Sequence, residues 1–74
     1  MNKFPSKEIV ERLREQYPHG TRVELVSMND PYLKLTPGDL GTVDFVDDTG
    51  TLFCIWDKGS TLGVVYGIDK IKRL

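Results

Sequence analysis

Only one cysteine, one histidine and one tryptophan occur in this 74-residue chain, and each scarcity removes a class of chemistry. Cys54 has no second cysteine with which to close a disulfide within the chain. His19, held between Pro18 and Gly20, has no neighbouring His or Cys with which to build a metal cage. Asp44, Asp47 and Asp48 gather near a turn, where the turn chemistry of aspartate and the solvent face of a strand account for them without a calcium ion. Gly38-Asp39-Leu40-Gly41 lacks the lysine and following helix of a phosphate-binding loop, so it reads as a turn. No cofactor, metal or catalytic residue is therefore expected, and a solvated loop histidine is the plain reading of His19.

Long apolar runs are also missing. Met1-Asn2-Lys3-Phe4-Pro5 has no apolar stretch behind its charge, and no segment approaches the roughly 20 residues needed to cross a bilayer. A soluble, cytoplasmic protein is the expectation, with no membrane partner. Charge of one sign is lacking too, the net value being −1. Its distribution says more than the sum. Between Gly20 and Ile68, Glu24 and six aspartates from Asp30 to Asp57 face only Arg22, Lys34 and Lys58, while Lys3, Lys7, Arg12 and Arg14 and then Lys70, Lys72 and Arg73 sit towards the ends. A mildly acidic middle with basic ends is a poor match for the continuous positive face of non-specific nucleic-acid binding.

What is present is a dense β pattern. Thr42 to Val46, Thr51 to Trp56 and Leu62 to Tyr66 read as three strands, joined through Asp47-Asp48-Thr49-Gly50 and Asp57-Lys58-Gly59-Ser60. In each turn aspartate starts the reversal and glycine supplies the positive φ of a bulged hairpin. Before them, Thr21 to Val26 alternates polar and apolar, which suits a half-buried strand with Val23 and Leu25 inside. Ser27 to Asp39 is a long loop folded over the core by Tyr32, Leu33 and Leu35. After Gly67, a turn leads to a short basic terminal strand that carries Ile71. In the middle strand Leu52, Cys54 and Trp56 share one face, and Phe53 and Ile55 share the other. Both faces are apolar, so something should cover the second, and the N-terminal helix is the obvious candidate.

That helix is expected near residues 6–17. Ser6 is a plausible N-cap, Glu8 sits in the first turn where the helix dipole favours negative charge, and Pro18 and Gly20 end it. Ile9, Val10, Leu13 and Tyr17 recur at helical spacing, with docking expected through Ile9, Leu13 and Tyr17. Phe4 can pack back as a staple. The chain is thus one domain over 1–74, with an N-terminal helical segment over 1–19 and a barrel over 20–74. A domain this small buries only about 60% of the surface exposed by its unfolded chain.

The order strand, long loop, three-strand meander, one-turn break and final strand resembles an SH3-like small barrel. Gly63-Val64-Val65-Tyr66-Gly67-Ile68-Asp69-Lys70-Ile71 looks like the segment where such barrels insert a 3₁₀ turn. The fold class expected is mostly β: a small SH3-like five-stranded barrel with an N-terminal α-helix packed on it. The whole chain also resembles an uncharacterised bacterial domain-of-unknown-function family, number 4314, through residues spread along its length. These include Ile9 to Arg14, Tyr17 to Leu25, Asp30-Pro31-Tyr32, Pro37 to Val43, Trp56 to Ser60 and Gly67-Ile68-Asp69. The resemblance implies a small protein carried by phages and conjugative elements, and it implies no activity. Peptide-binding SH3 domains have a tryptophan at the start of the third strand and a proline before the 3₁₀ turn. Here Trp56 ends its strand and Val65-Tyr66 stand where the proline would be, so recognition of proline-rich peptides is not carried over.

The expected function is that of a non-enzymatic interaction module whose partner is another protein. In that reading the Ser27–Asp39 loop and the Asp57–Ser60 turn flank a groove lined by Asp30, Tyr32 and Tyr66, because interfaces favour aromatics of this kind. Trp56 is either core or contact residue, and Tyr32 is either an anchor for its loop or an exposed contact. The alternative is a nucleic-acid accessory domain, since Gly38 to Val43 is similar to KOW-type ribosomal and transcription domains. Monomer and dimer both remain open.

Overall fold

The computed structural model describes residues 5–28 and 35–74. The order is α1 (Lys7–Gln16), β1 (Arg22–Ser27), β2 (Leu40–Val46), β3 (Thr51–Trp56), β4 (Gly63–Val65) and β5 (Lys70–Arg73). The strands form one antiparallel sheet in the order β4-β3-β2-β1-β5. The protein is mostly β, with one short helix.

Both turns form, the first through its aspartate and glycine and the second through its glycine, the Asp57 carboxylate being taken by Arg22 of β1. Gly50 (φ 82°) and Gly59 (φ 98°) take the left-handed conformation that closes the β2–β3 and β3–β4 reversals. Asp47 Oδ1 accepts from the N–H of Thr49 (2.9 Å) and of Thr51 (3.0 Å), which rigidifies the first turn. β4 and β5, the two sheet edges, are joined by the turn over 66–69 and have no ladder pairing with each other. In that turn the Val65 carbonyl accepts from Ile68 (3.1 Å) and Asp69 (2.9 Å), and the Val65 N–H donates to Asp69 Oδ2 (3.0 Å). The edge therefore has no free backbone group at Val65.

Alternation along the strands sends Val23, Leu25, Val43, Leu52, Cys54, Trp56 and Val64 to one face, and these are buried. Trp56 is 1% exposed and its indole N–H donates to the Leu62 carbonyl at 3.1 Å, so the ring is core and its one polar atom is satisfied. Gly41 leaves room for that ring. Leu35, at the end of the long loop, joins the same cluster, and Gly38 N–H donates to the Leu25 carbonyl at 2.8 Å.

Ser6 caps α1, its Oγ accepting from Ile9 N–H at 3.3 Å. The helix buries Val10 and Leu13, with Ile9 and Tyr17 partly buried beside them. Its last turn is tethered to the sheet from two sides. Arg14 donates to the Val46 carbonyl (3.1 Å) and to Asp48 (2.8 Å), and Arg73 of β5 donates to the Gln16 carbonyl (2.9 Å). Pro5 packs over Gly50 in the β2–β3 turn. The expected staple residue Phe4 lies outside the described residues.

One expectation is overturned. The helix does not cover Phe53 and Ile55; it joins the inner core with Leu52 and Val46, and Ile55 is 52% exposed. Alternation separates the two faces of a strand correctly, but it does not say towards which face a sheet curls.

A second departure is a bulge. Pairing runs Val43 with Cys54 and then Phe45 with Phe53, leaving Asp44 as the extra residue. Its carbonyl is taken by His19 Nδ1 at 3.0 Å, so His19 is exposed yet anchored.

Candidate functional site

Tyr66 opens the turn between β4 and β5 and is 45% exposed. Its ring divides two open depressions. The first, about 510 Å³, is walled by Pro5, Thr49, Thr51, Val65 and Ile68; the second, about 390 Å³, by Leu13, Tyr17, Val26, Asp69, Lys70 and Ile71. The second is mainly apolar where the C-terminal half of α1, the end of β1 and the 66–69 turn meet with incomplete coverage, and the first lies between Pro5, the β2–β3 turn and the end of β4. Gly67 (φ 83°) and the Asp69–Val65 hydrogen bond hold the turn that presents the ring. Of the three expected site residues, Tyr66 alone lies among the described residues. Asp30 and Tyr32 lie outside the described residues. The Asp57–Ser60 turn, expected to flank the groove, is tied to Asp39 by Lys58 at 3.0 Å, and the two depressions open elsewhere.

Sequence reasoning missed the pairing on the outer face. Phe45 and Phe53, opposite each other on β2 and β3, stack with centroids 4.8 Å apart and planes 18° from parallel. Phe53 also lies beside Gly63, whose missing side chain leaves space for the Thr51 methyl group. Nearby, Arg22 grips Asp57 through two hydrogen bonds of 2.8 and 2.7 Å and donates to Thr42 Oγ1 at 2.9 Å. The sequence placed Arg22 and Asp57 far apart, and only the β1–β2–β3 register brings them together.

The chemical inventory is modest. Among the described residues no group of His, Cys, Asp and Glu stands ready to hold a metal ion. Burial pushes the Cys54 thiol up to about 11, so at neutral pH it carries almost no thiolate. No helix among the described residues is long and apolar enough to cross a membrane.

Three aspartates have pKa values below the ordinary carboxylate value. The Arg22 hydrogen bonds hold Asp57 down and raise Arg22 in turn. The Thr36 N–H, assisted by Lys58, lowers Asp39. Burial opposes ionisation of Asp47, but donors from Thr49 and Thr51 and the charge of Arg14 outweigh it. A carboxylate more acidic in the folded state stabilises above its unfolded pKa, near 3.8, and loses that contribution as pH falls through the lower folded value. Thermal stability should therefore hold level from pH 7 to about 5 and drop below about 4. Asp57→Asn should flatten part of the drop. A melting temperature unchanged down to about pH 2.5 would show that these pairs contribute nothing.

A family profile described as Domain of unknown function (DUF4314) matches residues 6–74. The chain belongs to that family. The match spans α1 and all five strands, so the DUF4314 unit includes the helix together with the sheet. No curated protein matches the chain.

Proposed function

We propose that this DUF4314 protein is a small non-enzymatic interaction module that receives apolar side chains of another protein in the two depressions beside Tyr66. The observation that carries this reading is the position of the ring. An aromatic side chain, 45% exposed, forms the shared wall of two apolar hollows instead of filling either of them. Aromatics so placed are typical anchors of protein interfaces. Asp30 and Tyr32 belong to the same proposal as flanking contacts. The fold is read as an SH3-like small barrel; the consecutive antiparallel strands and the single turn before the last support this, with β4 and β5 meeting at the turn. The family resemblance supports a bacterial, cytoplasmic accessory of a mobile genetic element.

The KOW-like alternative gains little from the charges. Arg14, Arg22 and Lys58 are each within 3.0 Å of an aspartate, which leaves them poorly placed to neutralise phosphates.

The test is photo-crosslinking in the native host, with p-benzoylphenylalanine in place of Tyr66 and, as control, in place of the exposed Glu11. A discrete protein adduct should form from position 66 alone. Tyr66→Ala should abolish capture of the same protein while changing stability by no more than about 1 kcal/mol, as surface substitutions do. Identical adducts from both positions, or unfolding of the Tyr66→Ala protein, would remove the reading.

A further inference from the structure

The two edges of the sheet differ in what their backbones offer. At β4 the turn occupies both main-chain groups of Val65. At β5 such groups are left over. Leu25 of β1 uses its N–H and C=O on the β2 side, donating to Asp39 and accepting from Gly38, each at 2.8 Å. Backbone groups alternate sides along a strand, so Arg22 and Glu24 turn towards β5. There the Leu74 N–H donates to the Arg22 carbonyl at 3.0 Å, and Glu24 stands opposite Lys72. Ile71 and Arg73 alternate with those residues and therefore turn their N–H and C=O away from β1, out of the sheet. Neither has a backbone partner on that side among the described residues, and no Cα of α1 lies within 8 Å of a Cα of β5. Ile71 lends its side chain to the second depression, but its main-chain groups belong to the edge.

Charge decides what this edge can accept. Lys70, Lys72 and Arg73 are all exposed. Lys70 has no ion pair among the described residues, Lys72 reaches Glu24 only at 4.0 Å, and Arg73 points its guanidinium at the uncharged Gln16 carbonyl. Asp69, the acidic residue just before the strand, turns its carboxylate to the Val65 N–H. A positive surplus remains along β5. A second copy brought edge to edge would set these cations against their own kind, which is how lysines guard an edge from like strands. They do not guard it from an acidic one. A nucleic acid would meet the charges but has no peptide ladder for Ile71 and Arg73.

We propose that the outer edge of β5 accepts an extended, acidic segment of another protein as an added strand, hydrogen-bonded to the main chain of Ile71 and Arg73 and flanked by Lys70 and Lys72. The two residues lie about 7 Å apart along the strand, and each presents a donor and an acceptor on the same side. Main-chain pairing of this kind supplies affinity, and the lysines supply the choice of partner. The site is separate from Tyr66, and neither reading depends on the other.

The probe is a capped synthetic peptide of alternating glutamate and valine, titrated into the isotope-labelled protein and followed by NMR. Near saturation, hydrogen exchange at the Ile71 and Arg73 amides should slow by at least about 10-fold. The Lys72 and Leu74 amides, already turned towards β1, should change little. This measurement needs no variant. A lysine–valine peptide of the same length should not bind. Arg73→Pro deletes an outward N–H and leaves the β1 ladder intact, as proline at a strand edge can. Arg73→Ala is its control, losing the same side chain but keeping the N–H. The proline variant should bind the acidic peptide about 5–10-fold more weakly than the alanine variant. Tyr66→Ala should bind it as the unmutated protein does. Unslowed exchange at Ile71 and Arg73, equal binding of the lysine peptide, or equal affinity of the proline and alanine variants would overturn the proposal. Equal protection of both amides by oligothymidylate would assign the edge to charge alone and overturn it as well.

Discussion

Trp56→Ala should bring the protein close to unfolding at room temperature. The ring is the largest fully buried side chain, and its indole N–H is satisfied by the Leu62 carbonyl. Removing it deletes the packing of the ring over Gly41 of β2 and leaves a cavity that a sheet cannot easily close. Truncation of a buried aromatic costs about 3–5 kcal/mol. Domains of this size have total stabilities near the bottom of the roughly 5–15 kcal/mol range. At about 4–8 °C per kcal/mol for a short chain, the melting temperature should fall by roughly 12–40 °C. Thermal or urea unfolding followed by circular dichroism measures this directly. A loss below about 1 kcal/mol would mean that the ring does not fill the core.

Gly41→Ala should cost nearly as much, although it adds a single methyl group. A Cβ at Gly41 would lie 2.7 Å from Trp56 Cε3, 3.0 Å from Cδ2 and 3.2 Å from the Ile55 carbonyl oxygen. The neighbouring strand backbone and a fully enclosed indole cannot yield without disturbing the β2–β3 ladder. Overpacking of this kind typically costs about 1–3 kcal/mol, and here the upper end is expected. The backbone at Gly41 is not left-handed, so the loss would be steric and free of conformational strain. That leads to a sharper expectation for the double variant. Once Trp56 has been cut to alanine, the added methyl has space, so the two losses should fall short of additivity by at least about 1 kcal/mol. Additive losses would place the cause of the Gly41 effect elsewhere.

Much of this arrangement could be read from local chemistry. Asp47 with Gly50, and Gly59 in the second turn, mark both hairpin reversals, and Ser6 marks the helix start, because each acts through hydrogen bonds or φ values only a few residues away. The inward placement of Leu52, Cys54 and Trp56 followed from strand alternation. What escaped depends on register and curvature. The bulge at Asp44 resets alternation, so Phe45 points outward while Val43 and Val46 point inward. β2 also starts at Leu40, earlier than expected, because Gly38 and Asp39 already pair with Leu25. Curvature decided where α1 went, and no periodicity in Ile9, Val10 or Leu13 encodes it. Tyr66 was identifiable as a strand-end aromatic. Its two hollows were not, since Leu13, Tyr17 and Val26 come from elements brought together only by the fold.

The Asp69 carboxylate and its turn use up the backbone groups of Val65, at the edge beside Tyr66. A strand from another chain therefore has nothing to zip onto at that point, and under the proposed function recognition beside Tyr66 would fall to side chains alone. Such a socket is indifferent to the direction or secondary structure of what enters it: helix, turn or extended tail can serve, provided two apolar groups straddle the ring at the right separation.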